Sequence, residues 1–390
     1  MNHDESIYDP QPQAVMMDIP HKRFSIGLPA SQSGSERRFP LTPEAVSQLI
    51  DNDFTVCLQA GAAESIHYSD AQYERAGARI VTRKEALGCD IVIHLSPLST
   101  TDIRMMRRGA MLLTLLHPKK RSAASIKELL SHNILSVAID EITDNYGHPS
   151  FADILAEVDG RASIAAGASL LANVSHGKGI LLGGVTGIVP CEVTVIGSGI
   201  AARAAAMSAL GMGASVRMFD NDIYSLREAS SLLGSGIVTS ALHPRVLENA
   251  FRTADIVIST RLEHPFHVDA QQVAVMKKGV IVMDLDYDNS PTFPSLPVVD
   301  ISLPSSKIGG RICYSCLGNT VPRTAAMALS NTFVKLMLEI MACEGVTHVL
   351  NFVPGLQNAV MTFLGKAVNK KIADLAGVRA IDISILLNCS

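Results

Sequence analysis

The chain has 390 residues, enough at roughly 100 to 200 residues per domain for two domains or three small ones, and too many for a single small binding module. Its 33 Lys and Arg against 37 Asp and Glu leave a net charge of −4, and no stretch gathers the basic residues into a phosphate-tracking face, so no nucleic-acid partner is expected. With 47% apolar but only 18% charged residues, no Trp and 5% aromatics, the composition fits a large aliphatic α/β core with some subunit surface, not a base- or sugar-stacking surface.

Residues 1–23 carry four acidic residues and three prolines without an apolar run, and read as a tail rather than a secretory or transit signal. From residue 24 the pattern is βα. A strand at 24–28, a helix at 41–52 and a strand at 54–59 are followed by strands at 91–95, 111–116 and 135–139, with helices near 101–107 and 122–132 between them. Such alternation implies a mostly parallel sheet. A polar turn at 144–150 closes this block, a helix of small residues is predicted at 161–174, and a Gly-rich connector spans 177–187. A second βα series runs from 192 to about 301, 304–310 reads as loop, and 321–343 as one long helix. The most apolar stretches are interrupted by charged residues, so no membrane span is expected. Seven dispersed cysteines, an odd number, suggest reduced thiols in a cytoplasmic protein, and the lone CxxC of Cys313 and Cys316 lacks a second ligand pair, so no metal is expected.

The strongest motif is VTVIGSGIAA at 193–202, an apolar strand running through Gly197-x-Gly199-x-x-Ala202 into an alanine-rich helix. Gly197 permits a tight turn, Gly199 lets backbone approach a pyrophosphate, and Ala202 lets helix and strand pack closely, so Gly197, Ser198, Gly199, Ile200 and Ala202 form the expected cofactor turn. The next strand, 214–219, ends in Asp220, 23 residues beyond Gly197 and near the spacing of about 20 at which an acid takes the ribose hydroxyls. A carboxylate there repels a 2′-phosphate, favouring NAD over NADP, although Arg227 nearby softens that preference.

Further segments carry a wider resemblance: RFPLTP at 38–43, QAGA at 59–62, KGILLGGVTG at 178–187, GMGASV at 211–216, VPRT at 321–324 and ALSN at 328–331. Through them the chain resembles the alanine dehydrogenase and pyridine nucleotide transhydrogenase family, most of all its alanine dehydrogenases, from about residue 24 almost to the C-terminus. The resemblance implies two Rossmann-like doubly wound domains, with a substrate domain at 24–150 and 321–390 and an NAD-binding domain at 151–320 inserted between. It also implies a cleft active site and a homohexamer. Arg38 matches the family's substrate-binding Arg, His117 its catalytic His and Asp288 its catalytic Asp. Where the family's strand ends in two alternate lysines, this chain has His94 and Ser96; His94, if protonated, would serve partly in their place, and Lys119 or Lys120 could reach back to replace the lost cation, although the two read first as a solvated basic pair. The implied reaction is reversible, NAD-dependent oxidative deamination of L-alanine to pyruvate and ammonia, or that of a related 2-oxo acid, weakened or altered by the lost Lys. The alternative is a non-catalytic NAD(H)-binding protein resembling the soluble transhydrogenase domain.

Overall fold

The computed structural model describes residues 24–388 apart from 33, 35, 176, 302–311, 316 and 343–347. The expected tail at 1–23, the loop at 304–310, Cys316 and Cys343 therefore lie outside the described residues.

Among the described residues fifteen strands form two sheets. The first contains β1 (Ser25–Leu28), β2 (Thr55–Gln59), β3 (Arg79–Val81), β4 (Ile91–Ile93), β5 (Met111–Thr114) and β6 (Leu135–Ala138), joined from the far end of the chain by β14 (Val360–Phe363) and β15 (Lys366–Ala367), in the order β15-β14-β6-β5-β4-β1-β2-β3. The second contains β7 (Glu192–Ile196), β8 (Ser215–Phe219), β9 (Ile237–Ser240), β10 (Ile256–Ser259), β11 (Ile281–Asp284), β12 (Val298–Asp300) and β13 (Cys313–Ser315), in the order β12-β13-β11-β10-β7-β8-β9. Pairing is parallel except at β14, which runs antiparallel to both β6 and β15. The central strands β4, β5, β6, β10 and β11 are buried at every residue, as expected when helices cover both faces of a parallel sheet. In each sheet the chain reverses direction of growth beside its first strand, between β1 and β4 and between β7 and β10. Open α/β sheets bind ligands off the carboxyl ends of strands at such a crevice.

The helix Ser150–Ala172 begins eleven residues earlier than the sequence pattern suggested and serves both halves. Phe151 and Leu155 near its start enter the core of the first sheet, whereas Ala162, Ile164 and Leu171 enter that of the second. Phe151 meets Phe333 of the helix Pro322–Met341 edge to face at 4.8 Å, pinning both helices to the first core. Farther along, Gly160 lets the backbone of the helix Ile200–Gly211 come close: a Cβ there would stand 2.2 Å from the Ala201 carbonyl oxygen. Among the described residues no helix is long and apolar enough to cross a membrane. The four described free cysteines, Cys57, Cys89, Cys191 and Cys313, are all buried.

Candidate active site

The carboxyl ends of both sheets face each other across a cleft of about 600 Å³. The first sheet contributes the segments after β5 and β6, including His117, Lys120 and Asp140; the second contributes those after β7, β10, β11 and β13, including Gly199, Arg261, Asp288 and Gly318. Arg38 also lines it, so the cleft brings together Arg38, His117, Asp288 and the nucleotide turn.

Arg38 is already engaged. Its Nε and Nη2 donate to Glu36 Oε1 and Oε2 at 2.8 and 2.7 Å, a bidentate pair with the Glu36 side chain 2% and the Arg38 side chain 10% exposed. Burial alone would raise the Glu36 carboxyl, but the guanidinium holds it below the usual carboxylate range. A second carboxylate, Asp159, stands on the other side: a Cβ at Gly318 would lie 2.3 Å from Asp159 Oδ1 and 3.8 Å from Arg38 Cδ. Burial pushes Asp159 up to about 6, only partly offset by Arg38. The sequence reading missed both Asp159 and the Glu36 pairing. The available signal for Asp159 was a single acid between Val158 and Gly160 ahead of a run of small residues.

His117 sits in the left-handed region (φ 37°, ψ 59°), where a non-glycine residue costs of order 1–3 kcal/mol and persists only if its surroundings enforce it. They do. The buried Arg121 donates to the carbonyls of Leu116 and Leu115 at 2.7 and 2.6 Å, and the Leu116 N–H donates to Asp140 Oδ1 at 2.8 Å. The His117 Nδ1 lies 3.5 Å from Asp288 Oδ2, across from one sheet to the other, while its Nε2 is buried without a hydrogen-bond partner among the described residues. The hydrogen bond from His117, aided by the Lys120 charge, holds Asp288 below the usual carboxylate range against its partial burial. Asp284, 1% exposed at the end of β11, is instead pushed up by burial to about 6, although the backbone N–H groups of Thr292 and Asp286 donate to it.

The basic pair is exposed, as expected, yet both members also reach the opposite sheet. Lys119 Nζ donates to the Tyr287 carbonyl at 2.9 Å and lies over that ring, and Lys120 Nζ stands 3.7 Å from Asp288 Oδ2. Both lysines thus reach from the first sheet to the loop after β11.

At the nucleotide turn Gly197 has φ +107°, and a Cβ would meet Thr260 Oγ1 at 2.1 Å, so only glycine fits without displacement. A Cβ at Gly199 would meet nothing within 4 Å, which leaves this backbone open at the N-terminus of the twelve-residue helix Ile200–Gly211. Open backbone at a helix start, buried Ala202 behind it and an acid at the end of β8 fit a dinucleotide. That acid, Asp220, is 8% exposed; it accepts from the Ser198 hydroxyl at 2.7 Å and the Asp222 N–H at 3.0 Å. A carboxylate has about four acceptor sites, so two hydrogen bonds leave capacity for a ribose. Arg227 stacks on Tyr224, its guanidinium carbon 5.6 Å from the ring centroid, and does not line the cleft.

His94 and Ser96 are not brought to Arg38. They line an adjoining cavity of about 560 Å³ with Arg83, Asp102, Ser122 and Ser125, and Lys120 lines both cavities. The His94 ring folds back so that its Nδ1 is 2.6 Å from the Ser96 carbonyl oxygen. Burial pushes its pKa down, disfavouring the cationic form in which it would stand in for a lysine. Among the described residues no group of three or more His, Cys, Asp or Glu is placed to hold a metal ion.

Comparison with known proteins converges on the same reading. Residues 27–155 match the alanine dehydrogenase/PNT N-terminal domain and residues 163–370 the C-terminal domain of that family. The chain is 31% identical over 357 residues to an alanine dehydrogenase of Mycolicibacterium smegmatis, covering 89% of this chain and 95% of that protein. It is 30% identical over 362 residues to the alanine dehydrogenase of Mycobacterium tuberculosis, covering 90% and 97%. Among solved structures it is similar in fold to an L-alanine dehydrogenase (TM-score 0.81, 24% identity, 90% and 98% covered) and to a transhydrogenase from Sinorhizobium meliloti (TM-score 0.73, 20% identity, 89% and 99% covered). With both of its domains matched in order along one chain, this protein belongs to the alanine dehydrogenase/PNT family.

Proposed function

We propose that the protein is an NAD-dependent amino-acid dehydrogenase that converts L-alanine, NAD and water to pyruvate, ammonium, NADH and a proton. The observation that carries this reading is the convergence of Arg38, His117 and Asp288 with the nucleotide turn on one cleft. When bound, NAD supplies the hydride acceptor. Asp288 beside His117 Nδ1 favours the tautomer in which Nε2 is the base, and we assign to that buried nitrogen, once the substrate has opened access to it, one proton from the substrate amine, its release to solvent, and then one proton from the attacking water. On this reading residues 24–150 and 321–390 form the substrate domain and 151–320 the NAD domain, the helix Ser150–Ala172 being shared. The purified protein is expected to bind NADH more tightly than NADPH, because Asp220 opposes a 2′-phosphate, and to reduce NAD with L-alanine. Equal affinities would remove the assigned role of Asp220.

A silent NAD(H)-binding role is the second reading. It is favoured by one observation: Arg38 is paired with Glu36 and has Asp159 nearby, so its charge is countered before a substrate arrives. NADH binding without turnover of alanine, or of small 2-oxo acids with ammonium, would decide for it.

The cytoplasm is the proposed location, supported by the buried, unbonded cysteines among the described residues. A homohexamer is the proposed assembly. Supporting it, Leu181, Val185, Ile188 and Val189 in the connector are exposed, at 63%, 56%, 65% and 84%, a row of apolar side chains that a second copy can cover. Light scattering is expected to give about six times the 41.6 kDa chain mass, and the mass of one chain would refute self-association.

A further inference from the structure

We infer that Lys120 is the cation that meets the carboxylate of the substrate, a role that rests on the dehydrogenase reading and adds a binding residue to it. A 2-amino or 2-oxo acid brings a carboxylate into a cleft already walled by Asp159, Asp284, Asp286 and Asp288. Arg38 meets it already partly engaged, because its Nε hydrogen and one Nη2 hydrogen go to Glu36 and the Asp159 carboxylate lies near it beside Gly318.

Lys120 stands differently. Its ammonium is 3.7 Å from Asp288 Oδ2, beyond hydrogen-bond length, so the contact is Coulombic; no hydrogen bond from Lys120 Nζ is made among the described residues. Its side chain is one-third exposed, so a ligand can reach it. Its position follows from local geometry. Pro118–Lys120 forms a single 3₁₀ turn entered through the left-handed His117, and the side chains of His117 and Lys120 come out towards the same carboxylate. Both therefore converge on the same oxygen, Asp288 Oδ2, at 3.5 and 3.7 Å, whereas Lys119 points to the Tyr287 carbonyl. An ammonium beside the proposed base is placed to hold a carboxylate next to His117. Lys120 is also the residue shared with the cavity holding Ser96, so a lysine introduced at Ser96 would enter a space that Lys120 already borders.

The test is a fluorescence titration of the NADH-bound protein with pyruvate, which reads ternary-complex formation without requiring turnover. Lys120→Met is expected to weaken pyruvate about 10- to 100-fold, the range for losing a charge-assisted hydrogen bond, with NADH affinity within about twofold of wild type. Lys120→Arg should recover part of the loss, and Ser96→Lys added to Lys120→Met should recover part as well. Unchanged pyruvate affinity in Lys120→Met would overturn the assignment. So would an equal loss of NADH and pyruvate affinity, which marks an ion pair that only bridges the two sheets. If wild type binds NADH but no pyruvate, the dehydrogenase reading itself fails and takes this inference with it, an outcome distinguishable because it precedes any substitution.

Discussion

Gly160→Ala is expected to cost about 3 kcal/mol of stability and to weaken NADH binding at the same time. The added methyl would lie 2.2 Å from the Ala201 carbonyl oxygen and 3.0 Å from Ala204 Cβ, and neither atom can rotate away. The helix Ile200–Gly211 would have to shift as a body, which is the situation in which overpacking costs reach about 1–3 kcal/mol and sometimes more. Because the nucleotide turn ends where that helix starts, the displacement moves Gly199 and Ile200 as well. Gly211→Ala is the control: its Cβ would meet nothing within 4 Å, and it should be neutral or slightly stabilising. Urea denaturation with NADH titration on both variants checks this. A Gly160→Ala protein within about 0.5 kcal/mol of wild type would mean that the two helices are not held at this distance in solution.

Arg38→Ala should destabilise the fold at neutral pH by about 3–5 kcal/mol, the usual result of stripping the partner from a buried charge. The stranded group is Glu36, 5% exposed. In the wild type its carboxyl is held below the ordinary value, so the pair contributes stability above the unfolded glutamate pKa of about 4.3, and that contribution is lost as pH falls through the lower folded value. In the variant the unpaired, buried Glu36 is expected to titrate higher and become neutral sooner. The gap between the two proteins should therefore narrow as pH drops from 7 towards 4, and Glu36→Gln combined with Arg38→Ala should recover much of the loss at neutral pH. Thermal denaturation across this range measures it; a gap independent of pH would place the cost in packing rather than charge. Loss of substrate binding in Arg38→Ala is interpretable only beside this stability measurement.

The alternation of strands and helices and the glycine turn were legible because each is local: periodicity and backbone conformation act within a few residues. The start of the helix Ser150–Ala172 was not, since the Asp159-Gly160 pair resembles a turn signal and its true cause is contact with Ala201, more than forty residues away. Nor was β14, four residues long and antiparallel in a sheet whose earlier strands are parallel. At the site, sequence matching identified Arg38, His117 and Asp288 but assigned them free roles. That Glu36 occupies Arg38, that Lys120 turns towards Asp288, and that His94 folds onto the Ser96 carbonyl depend on side-chain directions that spacing alone leaves open.

The first sheet is assembled out of order during synthesis. Strand β6 is complete at Ala138, but its antiparallel neighbour β14 begins only at Val360, roughly 220 residues later. At about 5–20 residues per second the ribosome takes about 10 to 45 s to supply it. Through that interval the seven strands of the second sheet emerge as one uninterrupted run, and that half can fold around its nucleotide while the outer edge of β6 still presents unpaired N–H and C=O groups. The nascent chain therefore passes through a stage that is competent for cofactor and exposed to edge-to-edge association, and its yield in a cell should depend more on how that one edge is shielded than on the stability of the finished protein.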